Sequence, residues 1–220
     1  MRQLILLAIV ALATSCVQTT QSAFDKGVRA YNNGDYDQAY SHTMTSAESG
    51  DPRAQYNLGV MYRKGHGTPQ NYTEALKWYC RAAVGGTYAG LSNIGEMYAE
   101  GLALPLDQDK AQQWHRMAAV LGDPLGQVAM VRDLWGEELL PKDREEVYLW
   151  LNVLFLQDIS FLGYDQGLAQ YIDDLEAQMT PKQIQAGKAA VKAWKHVPFD
   201  TQVGWITSSD ACRETLMSVQ

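Results

Sequence analysis

The sequence predicts an all-α solenoid of antiparallel helix pairs closed by C-terminal capping helices. Three observations carry the prediction. In the stretch from Asn71 to Gly86, the apolar and small residues fall at Ala75, Trp78, Tyr79, Ala82 and Ala83. That is i, i+3, i+4, i+7, i+8, one face of an amphipathic helix. Gly85 and Gly86 then supply the helix stop. Finally, Trp78 has counterparts at Trp114 and Trp150, each 36 residues on. One helix pattern used three times at a fixed period marks a repeat array.

The elements follow in order. Residues 24–50 read as an atypical first pair. Phe24, Val28 and Tyr31 share one face, Asn32-Asn33-Gly34-Asp35 is a turn, and Tyr36, Ala39, Tyr40 and Ala47 continue a second helix. Residues 54–87 and 90–123 are the clear repeats. Leu58/Ile94, Gly59/Gly95, Met61/Met97, Tyr62/Tyr98, Gly65/Gly101, Pro69/Pro105, Ala75/Ala111, Ala82/Ala118 and Gly86/Gly122 all keep the 36-residue offset. Residues 126–158 are a degenerate copy in which Val131, Leu134, Pro141, Asp143, Val147, Trp150 and Leu154 hold the register. There Leu154-Phe155 replaces the small pair Ala82-Ala83, which suits a place where the stack ends. Residues 159–198 read as capping helices. Asp165 can cap a helix bearing Leu168, Tyr171, Ile172 and Leu175, and Thr180-Pro-Lys-Gln183 is a capping box opening another. Residues 199–220 show no periodic pattern and read as a tail.

The string Ala-x-x-x-Leu-Gly-x-Met-Tyr-x-x-Gly-x-Gly, followed by Gln-Asn-Tyr-x-x-Ala-x-x-Trp-Tyr-x-x-Ala-Ala-x-x-Gly, as written by Ala54 to Gly86, resembles the Sel1-like repeat, a relative of the tetratricopeptide repeat. The resemblance covers about residues 24–158, and the run Met179 to Ile184 with Trp194 is similar to the segment that closes many bacterial proteins of this kind. It implies an α-solenoid with a concave inner surface and a role in protein–protein interaction. It brings no shared catalytic residues.

Hydrophobic residues make up 46% and charged residues 20% of the 220, a globular balance. The net charge of −7 disfavours nucleic acid, whose phosphates need a basic surface. The N-terminus reads as an export signal over residues 1–15: Arg2 precedes an apolar run from Leu4 to Ala13, too short to span a bilayer, and small residues follow. Two cleavage sites compete. Ala11-Leu12-Ala13 fits cleavage before Thr14. Ala13-Thr14-Ser15-Cys16 resembles a bacterial lipobox that would lipidate Cys16, although Ala13 stands where leucine is usual. Residues 16–23 are then a polar tether. The expected location is the periplasm or an outer-membrane-anchored place in the cell envelope.

The repeat core residues are read as packing. Functional candidates lie on the first helix of each pair. Asn57 and Asn93 hold the same repeat position, where an amide offers a donor and an acceptor to an extended peptide. An equal alternative is that each amide satisfies a neighbouring backbone group. Arg63 and Glu96 are further groove candidates. The four histidines form no ligand spacing and no nucleotide or nucleophile motif occurs, so no catalytic residue, metal or cofactor is assigned. Cys80 stands where later copies have Arg116 and Asn152, a position expected to face solvent. A Cys80–Cys212 disulfide stapling the tail to the convex face, or two free thiols, are both open.

These residues point to an exported, lipid-anchored scaffold that binds a protein or peptide in a concave groove. The acidic total suggests a basic or neutral partner. An envelope hydrolase acting on cell-wall or β-lactam substrates, or a structural subunit of an envelope complex, are the alternatives.

Overall fold

The computed structural model describes residues 23–135, 144–157, 167–195 and 203–217. Twelve helices and no strand occur among the described residues. They fall into two compact units, residues 1–90 with 204–220, and residues 91–203. The export signal, Cys16, Pro141, Asp143, Asp165 and His196 lie outside the described residues.

The first unit holds α1 (23–32), α2 (Tyr36–Glu48), α3 (Pro52–Lys64) and α4 (Tyr72–Val84), with the C-terminal α11 (Val203–Ser208) and α12 (Asp210–Met217). The second holds most of α5 (Ala89–Glu100), then α6 (Gln108–Val120), α7 (Pro124–Leu134), α8 (Arg144–Phe155), α9 (Leu168–Glu176) and α10 (Pro181–Ala193).

The 36-residue period is written in the caps as well as the core. Asp35, Asn71 and Asp107 are the N-caps of α2, α4 and α6, and each side chain accepts from the backbone N–H three residues on. That satisfies one of the donors a helix start leaves orphaned. Asp51 and Asp123 cap α3 and α7 with proline following, the residue whose missing N–H costs least there. Gly50, Gly86 and Gly122, again 36 apart, adopt φ near +90° just past α2, α4 and α6, a conformation that a Cβ would strain.

Close helix approach depends on missing side chains. In the first unit, Gly59 of α3 faces the Tyr79 ring of α4, and an added Cβ would lie 2.6 Å from it. In the second unit, Gly95 faces the His115 ring in the same way, at 2.4 Å. The first core then closes around Ala47, Ala54, Leu58 and Trp78, with Phe24, Tyr40, Met44 and Tyr62 packed against them.

In the second unit the degenerate repeat turns its large residues toward the capping helices. Tyr148, Leu151 and Leu154 of α8 pack with Leu168 and Leu175 of α9 and with Met179. Gly187 of α10 lets the Tyr148 ring approach to 2.5 Å of where its Cβ would be. The start of α9 differs from the sequence reading: Gly167, at φ 107°, takes the N-cap position and makes no side-chain cap bond. The α10 start carries both hydrogen bonds of the Thr180–Gln183 capping box.

The tail differs from its patternless reading. It forms α11 and α12, and α12 docks on α4 within the first unit. Ile206, Ala211 and Cys212 are buried there.

Candidate functional site

In the first unit, α1, α2 and α3 enclose a pocket of about 300 Å³. The face of α3 that lines it presents Tyr56, Asn57, Val60 and Lys64, residues at helical spacing i, i+1, i+4 and i+8. Tyr31 and Asn32 of α1 and Thr43 of α2 complete the polar part. The α1–α2 contact is tight at Gly27, where a Cβ would meet Thr43 Oγ1 at 2.7 Å. One wall is braced by rings: the Tyr31 hydroxyl lies 3.0 Å from His66 Nδ1, and the His66 ring stacks on Tyr36 at 4.1 Å between centroids.

Asn57 is half-buried in this pocket, and its side-chain amide has no hydrogen-bond partner among the described residues. The amide is open to solvent, so an incoming donor and acceptor exchange with water on it. Lys64 is the one charged residue among the described lining residues, and it is exposed.

The other candidates are held by their own chain. Arg63 lies beside the Tyr79 hydroxyl, whose pKa burial drives well above the ordinary tyrosine value. Asn93, in the second unit, is buried at 9% exposure and has a polar partner, so the two asparagines of one repeat position have different environments. Glu96 is committed to an ion cluster. Arg132 Nη1 donates to Glu96 Oε1 at 2.7 Å, and Arg132 Nη2 donates to Asp133 Oδ1 at 2.9 Å. Beneath them His115, with no exposed surface, places Nδ1 2.5 Å from Asp133 Oδ2 and Nε2 3.6 Å from Glu96 Oε1. Burial pushes the Asp133 carboxyl up, but the His115 and Arg132 contacts outweigh it and hold its pKa below the usual value.

Cys80 is fully buried, against the expectation that its position faces solvent. The exposed character of its counterpart Arg116 is intact, but α12 covers the corresponding place on α4. Cys80 and Cys212 are joined there by a disulfide.

Two further features come from the spatial division rather than from any motif. The negative charge is unevenly spread: residues 23–90 carry seven Lys and Arg against six Asp and Glu, while residues 91–203 carry nine against seventeen. The second unit also has an apolar pocket of about 360 Å³ between α7, α8 and α9, with Val131, Leu151, Leu168, Trp135 and Tyr171 among its walls. Among the described residues no group of three or more His, Cys, Asp or Glu is arranged to hold a metal ion, and no helix is long and apolar enough to cross a membrane.

The fold defines a repeat protein of the α-solenoid class. Residues 52–86 and 89–123 each match the Sel1 repeat. The chain thus carries two Sel1 repeats within its helical array. It is similar in structure to a protective antigen of uropathogenic Escherichia coli with an SLR fold, at 24% identity and a TM-score of 0.66, over 83% of this chain and 40% of that one. It is also similar to a Sel1 repeat protein from Oxalobacter formigenes, at 22% identity and a TM-score of 0.53, over 70% of this chain and 49% of that one. The chain thus spans half or less of the length of either structure. No curated protein sequence matches it significantly.

Proposed function

We propose that this chain is an exported interaction scaffold whose first unit receives a segment of a partner protein in the Asn57 pocket. Sel1 repeats generally mediate protein–protein interaction. The observation that carries the specific reading is the half-buried Asn57 amide, left without a partner in a pocket walled by Val60 and Tyr56. A peptide group supplies both the donor and the acceptor that the amide needs.

The Arg2 and Leu4–Ala13 pattern supports export, and Cys16 supports lipid anchoring to the envelope membrane. No observation favours an envelope hydrolase. The His115–Asp133 pair has the elements of a base and its orienter, but the His115 ring has no exposed surface for a substrate to reach.

Asn57→Ala and Val60→Arg test the pocket. Partners recovered from envelope extract by the wild-type chain are lost with either variant while the far-ultraviolet dichroism is unchanged. Retention of every partner by both folded variants removes the pocket reading. Cys16→Ser tests the anchor: the variant leaves the membrane fraction, and a variant that stays there argues against lipidation.

A further inference from the structure

We propose that the Asn57 pocket selects an acidic segment, one that places a Glu or Asp side chain two or three residues from an apolar side chain. This rests on the pocket being a peptide site and adds the chemistry of its occupant.

Three observations point the same way. First, Lys64 is the one charged residue among the described lining residues, and no carboxylate of the described residues pairs with it. A lone cation at the rim of a pocket favours an anion by direct attraction and disfavours a cation by the same amount.

Second, the acidic character of the chain is absent here. Residues 23–90 are close to neutral by count, so the overall net charge of −7 does not set the sign at this pocket. Lys26 and Arg29 of α1 lie with Asp35 around a separate shallow depression, so the cation at the Asn57 pocket itself is Lys64. An incoming acidic segment therefore meets no excess of like charge in this unit. This reverses the basic or neutral partner expected from the total.

Third, the spacing of the groups specifies a segment rather than a single ion. Asn57 and Lys64 lie seven residues apart on α3, which is roughly 10 Å along a helix at about 1.5 Å per residue. An extended chain covers that in about three residues at roughly 3.3 Å each. The Asn57 amide can then hold one peptide group while Lys64 meets a carboxylate farther along. Val28, Val60 and Met61 line the same pocket and offer an apolar side chain its contact. The N-terminal residues 1–22 of this chain contain no Asp or Glu, so they do not have the chemistry of the occupant.

The test is a chemical-shift titration of the intact protein with blocked heptapeptides at low salt. The probe is acetyl-Ala-Glu-Ala-Leu-Ala-Glu-Ala-amide, with acids on both sides of the Leu so that chain direction does not matter. Its controls replace both Glu by Gln or by Lys, and a fourth peptide is the Gln form with a free C-terminal carboxylate. The Glu peptide binds about two- to five-fold more tightly than the Gln peptide, the range of an exposed ion pair. It binds about ten-fold more tightly than the Lys peptide, and both differences shrink as salt is raised. Lys64→Gln brings the Glu-to-Gln ratio to about one, whereas Asn57→Ala weakens all the peptides alike.

A Lys peptide that binds as well as the Glu peptide, or a preference that survives Lys64→Gln, overturns the acidic assignment while leaving the pocket a peptide site. Equal binding of the Glu peptide and the free-carboxylate Gln peptide overturns the choice of a side chain over a chain terminus. Shifts confined to residues outside the pocket, or none with any peptide, remove both the assignment and the site.

Discussion

The Tyr79 ring of α4 rests against the Cα of Gly59 in α3, so closely that a Cβ there would stand 2.6 Å from Tyr79 Cδ1 and Cε1. Tyr79 has no exposed surface and cannot swing aside into solvent. The contact sets how near the two helices of a repeat lie.

Gly59→Ala therefore opposes two effects. Alanine gains about 1 kcal/mol over glycine in helix propensity. Overpacking a closed core costs about 1–3 kcal/mol, and here the neighbour is a fully buried ring. The net expectation is destabilisation of about 0–2 kcal/mol by urea unfolding, toward the upper end because the Tyr79 ring cannot move aside. Gly34→Ala is the contrasting control, because nothing lies within 4 Å of a Cβ at that turn and its cost comes only from φ +78°.

The Cys80–Cys212 bond closes a separation of 132 residues and holds α12 on α4. A link of that kind removes freedom from the unfolded chain, typically stabilising by about 2–4 kcal/mol. Cys212→Ser lowers the denaturation midpoint accordingly and speeds amide exchange in α11 and α12 before it does so in α2 and α3. Uniform exchange across the whole chain would show that the tail has no separate tie to lose.

How much of this is legible in the sequence depends on what repeats. The helix pairs are readable because caps, small residues and tryptophans return every 36 positions, so each copy supports the others. The Cys80 environment is not readable from that pattern. Its counterparts Arg116 and Asn152 are polar, and the element that buries Cys80 comes from the non-repeating tail. Asn57 and Asn93 show the same limit. One repeat position yields a half-buried free amide in one unit and a buried, partnered one in the other, because the neighbours differ in each copy. Glu96 and Arg132, which occupy one repeat position with opposite charges, bond to each other, and Arg132 also borders the pocket between α7, α8 and α9.

The capping box at α10 isolates a local effect. The Thr180 hydroxyl accepts from the Gln183 N–H at 3.3 Å, and the Thr180 N–H donates to Gln183 Oε1 at 3.0 Å. Thr180→Ala leaves an orphaned N–H at the start of the helix that carries Gly187 onto Tyr148. A loss of about 1 kcal/mol is expected. Thr180→Ser retains most of it, which separates the hydrogen bond from the methyl group in parallel thermal melts.

Acid stability reports on the buried cluster of the second unit. Asp133 has its pKa below the ordinary carboxylate value of 3.8, because contacts with His115 and Arg132 outweigh the effect of burial. A group with a depressed folded pKa adds stability that is fully present above its unfolded value and is lost as pH falls through the folded one. The window therefore lies below pH 3.8 and extends downward. Asp123 acts in the opposite direction: burial raises its pKa despite the Ser92 hydroxyl and the Gly126 N–H, so its stabilising effect diminishes as pH rises above that value. Asp133→Asn keeps a polar partner for His115 but removes the charge, and is expected to lose about 1–3 kcal/mol at neutral pH. The gap between wild type and variant narrows as the solution is acidified below pH 3.8. Equal slopes of unfolding free energy against pH for the two proteins in that range would show that Asp133 is not the group whose protonation weakens the second unit.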